Sequence, residues 1–84
     1  MIDSFNQVKD VLESDFLKKN RKDSIFKALK KGLTQNASVS IAYSTDAEPN
    51  REIETEVVGI NNDFIVTKDE ALRIPIRAIY QIKL

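Results

Sequence analysis

The sequence predicts an α+β domain in which one or two N-terminal helices precede a small, five-stranded antiparallel β-barrel. Over the first third of the chain, apolar residues recur at helical intervals of three and four, and after Gly32 they recur at every second position. The chain has 84 residues, which is enough for one hydrophobic core but too few for two. We therefore expect a single domain spanning residues 1–84.

A first helix is predicted over residues 5–18, within an amphipathic segment that covers residues 1–20. Ser4 and Gln7 have the spacing of a capping box, which favours a helix start at this point. The apolar stripe of this helix exceeds what so small a core covers, so we expect it to contact a partner chain or a second copy of the protein. The residues of this predicted partner interface are Phe5, Val8, Val11, Leu12 and Phe16.

A second helix is predicted over residues 23–33. Charged residues interrupt the first apolar stripe near Asn20, which argues for a break there, and one kinked helix is the alternative. Asp23 or Ser24 would cap the second helix at its start, and Gly32 would end it. Its apolar face consists of Ile25, Phe26, Leu29 and Leu33.

Alternation of apolar and polar residues predicts three strands after the helices. The first strand is centred on residues 39–43, where small residues separate the larger apolar ones. In the second strand, over residues 52–57, glutamates alternate with Ile, Thr and Val and give the strand an acidic outer face. Residues 61–63, which tolerate left-handed turn geometry, separate it from a third strand at residues 64–67.

Two further strands complete the predicted barrel over residues 38–84. In the fourth strand, residues 72–77 alternate apolar residues with basic ones or proline, so the strand has an apolar and a basic face. Pro75 has no N–H group to donate to a neighbouring strand, so we expect it at a sheet edge or a bulge. Five short strands with tight connections are typical of a strongly bent barrel of the SH3-like or Sm-like kind. The fifth strand is predicted from Tyr80, Ile82 and Leu84.

The composition argues against catalysis because the chain contains neither cysteine nor histidine. Their absence removes disulfides, thiol nucleophiles, the usual zinc ligands and every catalytic triad that relies on histidine. The acidic residues Glu52, Glu54 and Glu56 are explained by strand alternation and lack the loop spacing of a metal site. We therefore expect a protein that is not an enzyme and that has no metal or cofactor.

The sequence also bears on the cellular location. No apolar run reaches bilayer length, and residues 1–5 lack the basic start and the apolar core of a signal peptide. The absence of cysteine fits a reducing compartment. We expect a cytoplasmic protein with no membrane partner.

The charges of the chain cancel overall but are unevenly distributed. Residues 1–36 carry eight Lys or Arg against five Asp or Glu, whereas residues 37–84 carry five against eight. A basic run in the first part is a candidate contact surface for nucleic acid, and a solvated helix face is the alternative. The basic residues concerned are Lys18, Lys19, Arg21, Lys22, Lys27, Lys30 and Lys31.

A second candidate contact with nucleic acid involves the predicted fourth strand. Arg73 and Arg77 lie four residues apart, so in a strand they share one face. With Tyr80 nearby, they would combine phosphate contacts with a platform for base stacking. The alternative is that both arginines pair with the glutamates of the second strand.

The order of elements over residues 24–84 resembles the Sm-like barrel superfamily. The helix at 24–33, followed by residues 39–41 and residues 77–79, is similar in layout to the Hfq family of bacterial RNA chaperones. The resemblance implies a barrel and a tendency to bind nucleic acid or to assemble, and it implies no particular binding residues. The segments that look like the YolD-like proteins of Gram-positive bacteria are residues 39–43, residues 57–60 and the isoleucines at 74, 79 and 82.

Two functions fit these observations. The first is a small, non-catalytic, nucleic-acid-associated regulatory module that binds RNA or DNA. The second is a protein-protein interaction or oligomerisation adaptor without nucleic-acid binding, which the zero net charge, the amphipathic first helix and the strand edges favour. In either case we expect self-association, most simply as a homodimer.

Overall fold

The computed structural model describes residues 10–69 and 72–84. Within these ranges the chain forms one α-helix, one 3₁₀ helix and six strands, and the strands make two three-stranded antiparallel sheets in the orders β2-β1-β6 and β3-β4-β5. The prediction of a five-stranded barrel is therefore wrong. The elements are α1 (Asp15–Gln35), β1 (Val39–Tyr43), β2 (Arg51–Thr55), β3 (Val57–Ile60), β4 (Phe64–Thr67), β5 (Arg73–Pro75), the 3₁₀ helix (Ile76–Ala78) and β6 (Ile79–Lys83).

The predicted second strand divides because the chain changes sheets at Glu56. Thr55 pairs with Val39 in the first sheet, whereas Val57 pairs with Thr67 in the second. The carbonyl oxygen of Glu56 accepts a hydrogen bond from the N–H of Lys68, so its backbone is satisfied at the crossing point. Alternation of side chains continues through this position, which is why the sequence predicts one strand where two exist.

The predicted fourth strand is also shorter than expected. β5 ends at Pro75, and the chain continues as the 3₁₀ helix before β6 begins. β5 pairs with β4 alone within the described ranges, so Pro75 lies in an edge strand as predicted. In β6 the register against β1 shifts, with Ile79 opposite Tyr43 and Gln81 opposite Ala42. This shift makes Tyr80 the extra residue of a bulge, so Ile79 is buried and Tyr80 is exposed, contrary to the predicted alternation.

In the described part of the chain, α1 alone stands where the sequence predicts the end of one helix and the whole of a second. It begins after Ser14, whose hydroxyl accepts the N–H of Leu17, and no break occurs near Asn20. Residues 10–14 are not helical, and residues 5–9 lie outside the described part. The side chain of Asp10 accepts the N–H of Leu12, which gives the backbone a local alternative to the helix.

The buried face of α1 explains why no break is needed. Ile25, Ala28 and Gly32 recur at intervals of three and four and lie in the core, whereas Lys19 and Asp23 fall on the opposite, exposed side. The charged residues therefore do not interrupt the face that packs. Lysines and other charged residues occur throughout α1, and no helix of the described ranges is long and apolar enough to cross a membrane.

Gly32 has a packing function rather than the helix-ending function that the sequence predicts. It lies inside α1, and a Cβ atom at this position would overlap the carbonyl oxygen of Val57 in β3. The helix ends instead at Asn36, which adopts a left-handed conformation (φ 52) and donates its N–H to the carbonyl oxygen of Lys31. The missing side chain lets α1 lie directly against β3.

One hydrophobic core joins the helix and both sheets. α1 contacts β3 of one sheet and β6 of the other, so it covers the seam between two edge strands. Full burial of a side chain such as Ile25 contributes roughly 1.5–3 kcal/mol. The buried apolar residues of this core are Ile25, Ala28, Val39, Ile41, Tyr43, Val57, Ile65, Ile74, Ala78 and Ile79.

Replacement of Gly32 by alanine should destabilise the protein, although alanine favours a helix by about 1 kcal/mol. The added methyl group meets the backbone of Val57, so α1 would have to move away from β3. Overpacking of this kind costs typically about 1–3 kcal/mol, and we expect a net decrease of that order in the free energy of unfolding, measured by urea denaturation.

Asn20→Ala is the matched control, because Asn20 is exposed in the same helix and the change affects helix propensity without adding a core contact. This variant should be as stable as the wild type or more stable by about 0.5 kcal/mol. Stabilisation by Gly32→Ala as well would show that the close approach of α1 to β3 places no constraint on the fold.

Candidate functional site

A cleft of about 320 Å³ lies between α1 and the turn that joins β3 to β4. Its volume is at the lower end of the range for small-molecule sites. Basic side chains from α1, apolar side chains from both walls and amide side chains from the turn line the same space. The lining residues are Lys18, Arg21, Lys22, Ile25, Phe26, Ile60, Asn61, Asn62 and Ile76.

The helix wall of the cleft follows from side-chain spacing. Lys18, Lys22 and Phe26 are four residues apart, so they lie on one face of α1, one turn after another. Phe26 is 48% exposed, whereas the neighbouring Ile25 is buried in the core. This face therefore presents two ammonium groups and an accessible aromatic ring beside the protein interior.

The turn wall is fixed by hydrogen bonds of Asn61. Its side-chain Oδ1 accepts the N–H groups of Asp63 at 2.8 Å and Phe64 at 2.9 Å, and its own N–H donates to the Phe64 carbonyl oxygen at 3.0 Å. The turn predicted here is confirmed, but left-handed φ angles of non-glycine residues in the described part occur at Asn36 and Asn50 instead. Asn62 is exposed at the mouth of the cleft.

Arg21 forms a nearly buried ion pair at the edge of the cleft. Its Nη1 and Nη2 atoms donate to both carboxylate oxygens of Asp10, at 2.8 and 2.7 Å, and Nη1 also donates to the carbonyl oxygen of Ile79 at 3.1 Å. The Arg21 side chain is 8% exposed, and its Nε atom is buried without a partner in the described part. Arg21 thus fastens residue 10 to α1 and β6, and its charge is neutralised within the protein.

The pKa of Asp10 reflects this environment. Burial by itself would raise the pKa of the Asp10 carboxyl, but hydrogen bonds from Arg21 and from the N–H of Leu12 outweigh it, with help from the charges of Arg21 and Lys18. The pKa of Asp10 is therefore lowered from its ordinary value. The remaining positive charge of the cleft comes from Lys18 and Lys22, neither of which forms a salt bridge within the described ranges.

The basic residues predicted to contact nucleic acid separate into three groups. Lys18, Arg21 and Lys22 come together in the cleft. Lys31 is used structurally, because its Nζ atom donates to the carbonyl oxygen of Leu84 at 3.1 Å. The third group lies exposed on the outer side of α1 and consists of Lys19, Lys27 and Lys30.

Arg73 and Arg77 do not share a strand face, which corrects the prediction. Arg73 lies in β5 and Arg77 in the 3₁₀ helix, because the strand stops at Pro75. The Arg73 guanidinium lies over the Phe64 ring, 5.2 Å from its centroid, in a cation–π contact. Tyr80 is exposed in the β6 bulge, so these three predicted contacts do not form one surface of a strand.

Two of the three glutamates of the predicted second strand make ordinary polar contacts. Glu52 accepts the Ser40 hydroxyl at 2.8 Å and lies 3.5 Å from the Lys83 Nζ atom, and Glu56 lies 3.6 Å from Lys68 Nζ. The Ser40 hydrogen bond and the Lys83 charge lower the pKa of Glu52. No three Asp or Glu side chains in residues 10–69 and 72–84 are grouped so that they would hold a metal ion.

The predicted partner interface is not a single helical stripe. Phe5 and Val8 lie outside the described residues, and Val11 and Leu12 belong to the non-helical segment before α1. The N–H of Val11 donates to the carbonyl oxygen of Arg77, which docks this segment beside the 3₁₀ helix. Phe16 is in α1 with its side chain 70% exposed.

Of the nine residues that line the cleft, the sequence predicts Lys18, Arg21 and Lys22 as contacts and does not predict the other six. It places Phe26 on the apolar face of a helix and Asn61 and Asn62 in a turn. The spacing of Lys18, Lys22 and Phe26 was a usable signal, because it puts two cations and an aromatic ring on one helix face. The contribution of the turn depends on how α1 packs on β3, and no local pattern carries that information.

No protein family model, no curated protein and no solved structure matches the chain. The resemblance to Sm-like, Hfq and YolD-like proteins therefore has no support from relatives. The two separate sheets also differ from the closed barrel that the resemblance implied.

The Asp10–Arg21 pair predicts a pH-dependent contribution to stability. Asp10→Asn removes the carboxylate charge and leaves Arg21 nearly buried without a counterion, so the free energy of unfolding at neutral pH should fall by about 1.5–3 kcal/mol. Because the pKa of Asp10 is lower in the folded state, the contribution is present above the ordinary Asp pKa of about 4 and is lost as the pH falls through the folded value.

Urea denaturation at several pH values would measure this contribution. The difference between wild type and Asp10→Asn should shrink as the pH falls below about 4. Glu48→Gln is the control, because the Arg51–Glu48 pair is exposed and its loss should change stability by at most about 1 kcal/mol. A difference between Asp10→Asn and wild type that stays constant down to acid pH would contradict the assigned role of Asp10.

Proposed function

We propose that this protein is a non-catalytic module that binds nucleic acid through the exposed side of α1. The observation that carries the proposal is a set of exposed lysines on the side of the helix that faces away from both sheets. On α1, Asp15 and Asp23 are the only acidic residues that oppose them. The exposed lysines of this outer side are Lys19, Lys27 and Lys30.

The spacing of these lysines suits a phosphate backbone. Lys19 and Lys30 are 11 residues apart in the sequence, which corresponds to about 16 Å along a helix. Successive phosphates of one strand are about 3.4 Å apart along a duplex axis, so the lysines span roughly five of them. Contacts of this kind bind the backbone without reading its sequence, and they fit RNA and DNA equally.

Zero net charge is compatible with such a contact because the charges are segregated. The exposed acidic side chains Glu52 and Glu54 lie on β2, which belongs to the sheet and not to the basic side of α1. A local positive surface attracts a polyanion even where the whole molecule is neutral. The proposal also keeps the expectation of a regulatory protein of the cytoplasm, which the cysteine-free sequence favours.

Binding to a short single-stranded oligonucleotide would test the proposal, with fluorescence anisotropy measured between about 50 and 200 mM salt. The affinity should fall steeply with salt. The double variant Lys19→Gln, Lys30→Gln should bind every sequence more weakly and lower the slope of log K against log salt by roughly 1.4, because two phosphate contacts to a single strand are lost.

Lys68→Gln is the matched control, since Lys68 is an exposed lysine outside α1 that pairs with Glu56. It should leave both the affinity and the salt slope unchanged. Absence of binding at low salt, or an equal effect of the control and the α1 variant, would contradict binding through this surface.

A second candidate function is self-association as an adaptor, and the exposure of Phe16 favours it. This large aromatic side chain lies in the first turn of α1 and is 70% exposed, with Leu17 beside it 47% exposed. Covering an aromatic ring of this size would stabilise an assembly. A second copy of the chain is the simplest partner, because two-fold dimers are the commonest homo-oligomers.

Analytical ultracentrifugation would test this second candidate at concentrations up to about 100 μM, which detects dimers down to roughly −5.5 kcal/mol of association free energy. A dimer is expected, and Phe16→Glu should convert it to a monomer. Leu33→Glu is the control, because Leu33 is also exposed on α1 but lies near its other end. A monomer over the whole range would refute self-association.

A further inference from the structure

We propose that the cleft between α1 and the β3–β4 turn takes one unpaired base of a single-stranded nucleic acid, with an adjacent phosphate against Lys18 and Lys22. This inference rests on the proposed nucleic-acid binding and deepens it, because it predicts a preference for single strands. The backbone contacts of the outer lysines do not themselves require such a preference.

The apolar part of the cleft provides a surface for a base. Phe26 is 48% exposed and lines the cleft together with the half-buried Ile60 and Ile76. Nucleic-acid bases stack on aromatic side chains of this kind whatever their sequence, since every base has a π-face. With a volume of about 320 Å³, the cleft is large enough for one base.

The amide part of the cleft matches the edge of a base. The Oδ1 atom of Asn61 is used within the turn, whereas its NH₂ group makes no hydrogen bond in the described part of the chain. The side chain of Asn62 likewise makes none there, so both its donor and its acceptor groups are available. Base edges present donors and acceptors side by side, and an asparagine amide complements that arrangement.

The charge in the cleft favours phosphate over carboxylate. Arg21 is the guanidinium of the cleft, and its fork is already occupied by both oxygens of Asp10. A bidentate contact to the carboxylate of an acidic peptide is therefore not available from Arg21. Lys18 and Lys22 offer ammonium groups one helical turn apart, which act as point charges toward phosphate oxygens.

A base inside a duplex cannot reach Phe26 without leaving the stack. Extrusion of a paired base from a duplex costs the free energy of unpairing and unstacking, and this cost is absent for a base that is already single-stranded. The cleft therefore adds to the affinity for single strands and contributes nothing to the binding of intact duplex. Both polymers still share the contacts to the outer lysines of α1.

The experiment compares the single-stranded and duplex forms of one oligonucleotide by fluorescence anisotropy at fixed salt, with wild type and Phe26→Ala. Wild type should bind the single strand more tightly. Phe26→Ala should weaken single-strand binding about 5- to 150-fold, the loss associated with one base–aromatic stack, and should leave duplex binding and the salt slope unchanged. Leu33→Ala is the matched control, because it removes an exposed apolar side chain of α1 that does not line the cleft.

A second readout separates a site from a general loss of affinity. Titration with a nucleoside monophosphate, followed by NMR, should shift the side-chain amide signals of Asn61 and Asn62, and Asn62→Ala should weaken single-strand binding as Phe26→Ala does. Circular dichroism of both variants should match that of the wild type, because both changed side chains are exposed.

The outcomes distinguish this inference from the function on which it rests. Equal affinity for single strand and duplex, or Phe26→Ala affecting both alike, would overturn the base site while leaving backbone binding intact. An acidic peptide of equal charge can be titrated in the same way. If the peptide displaces the single strand and shifts the amide signals, and the nucleotide does not shift them, the cleft is a peptide site instead. Failure of wild type to bind either polymer would overturn the proposed function and this inference together.

Discussion

The close approach of α1 to β3 is the constraint on which the rest of the structure depends. Gly32 of α1 lies against the backbone of Val57 in β3, an edge strand of one sheet. The helix also contacts β6, an edge strand of the other sheet. The helix thus packs on both three-stranded sheets within one hydrophobic core. The cleft is a consequence of this arrangement, because its two walls are α1 and the turn that follows β3.

The Asp10–Arg21 pair determines which basic residues remain available for a ligand. Arg21 belongs to the basic run in the sequence, yet it donates to Asp10 and to Ile79 and is almost fully covered. Lys31 likewise donates to the backbone of Leu84. The ion pair that fixes the non-helical segment also neutralises the guanidinium charge of Arg21. The positive potential in the cleft therefore comes from its lysines.

The sequence predicted the local periodicity well and the assembly poorly. The strands at residues 39–43 and 64–67 appear as predicted, because alternation is a property of the strand itself. The chain changes sheets at Glu56 without a break in the alternation, so the sequence pattern does not indicate this change. Residues 10–14, which the sequence predicts to be helical, are not helical, because the side chain of Asp10 is held by Arg21, 11 residues later. The lysines of the cleft follow from helical spacing and are predicted. Its asparagines reach the cleft through the packing of α1 on β3, which no local pattern indicates.

The two candidate functions use different parts of α1 and are compatible with each other. Phe16 and Phe26 are ten residues apart, which separates them by about 15 Å along the helix and about 80° around its axis. An assembly that covered Phe16 would leave the cleft at Phe26 open in each copy. Two such clefts on one nucleic-acid strand would raise the overall affinity through effective concentration, without a new contact. Self-association would then double the number of clefts and of exposed α1 lysines that contact one strand.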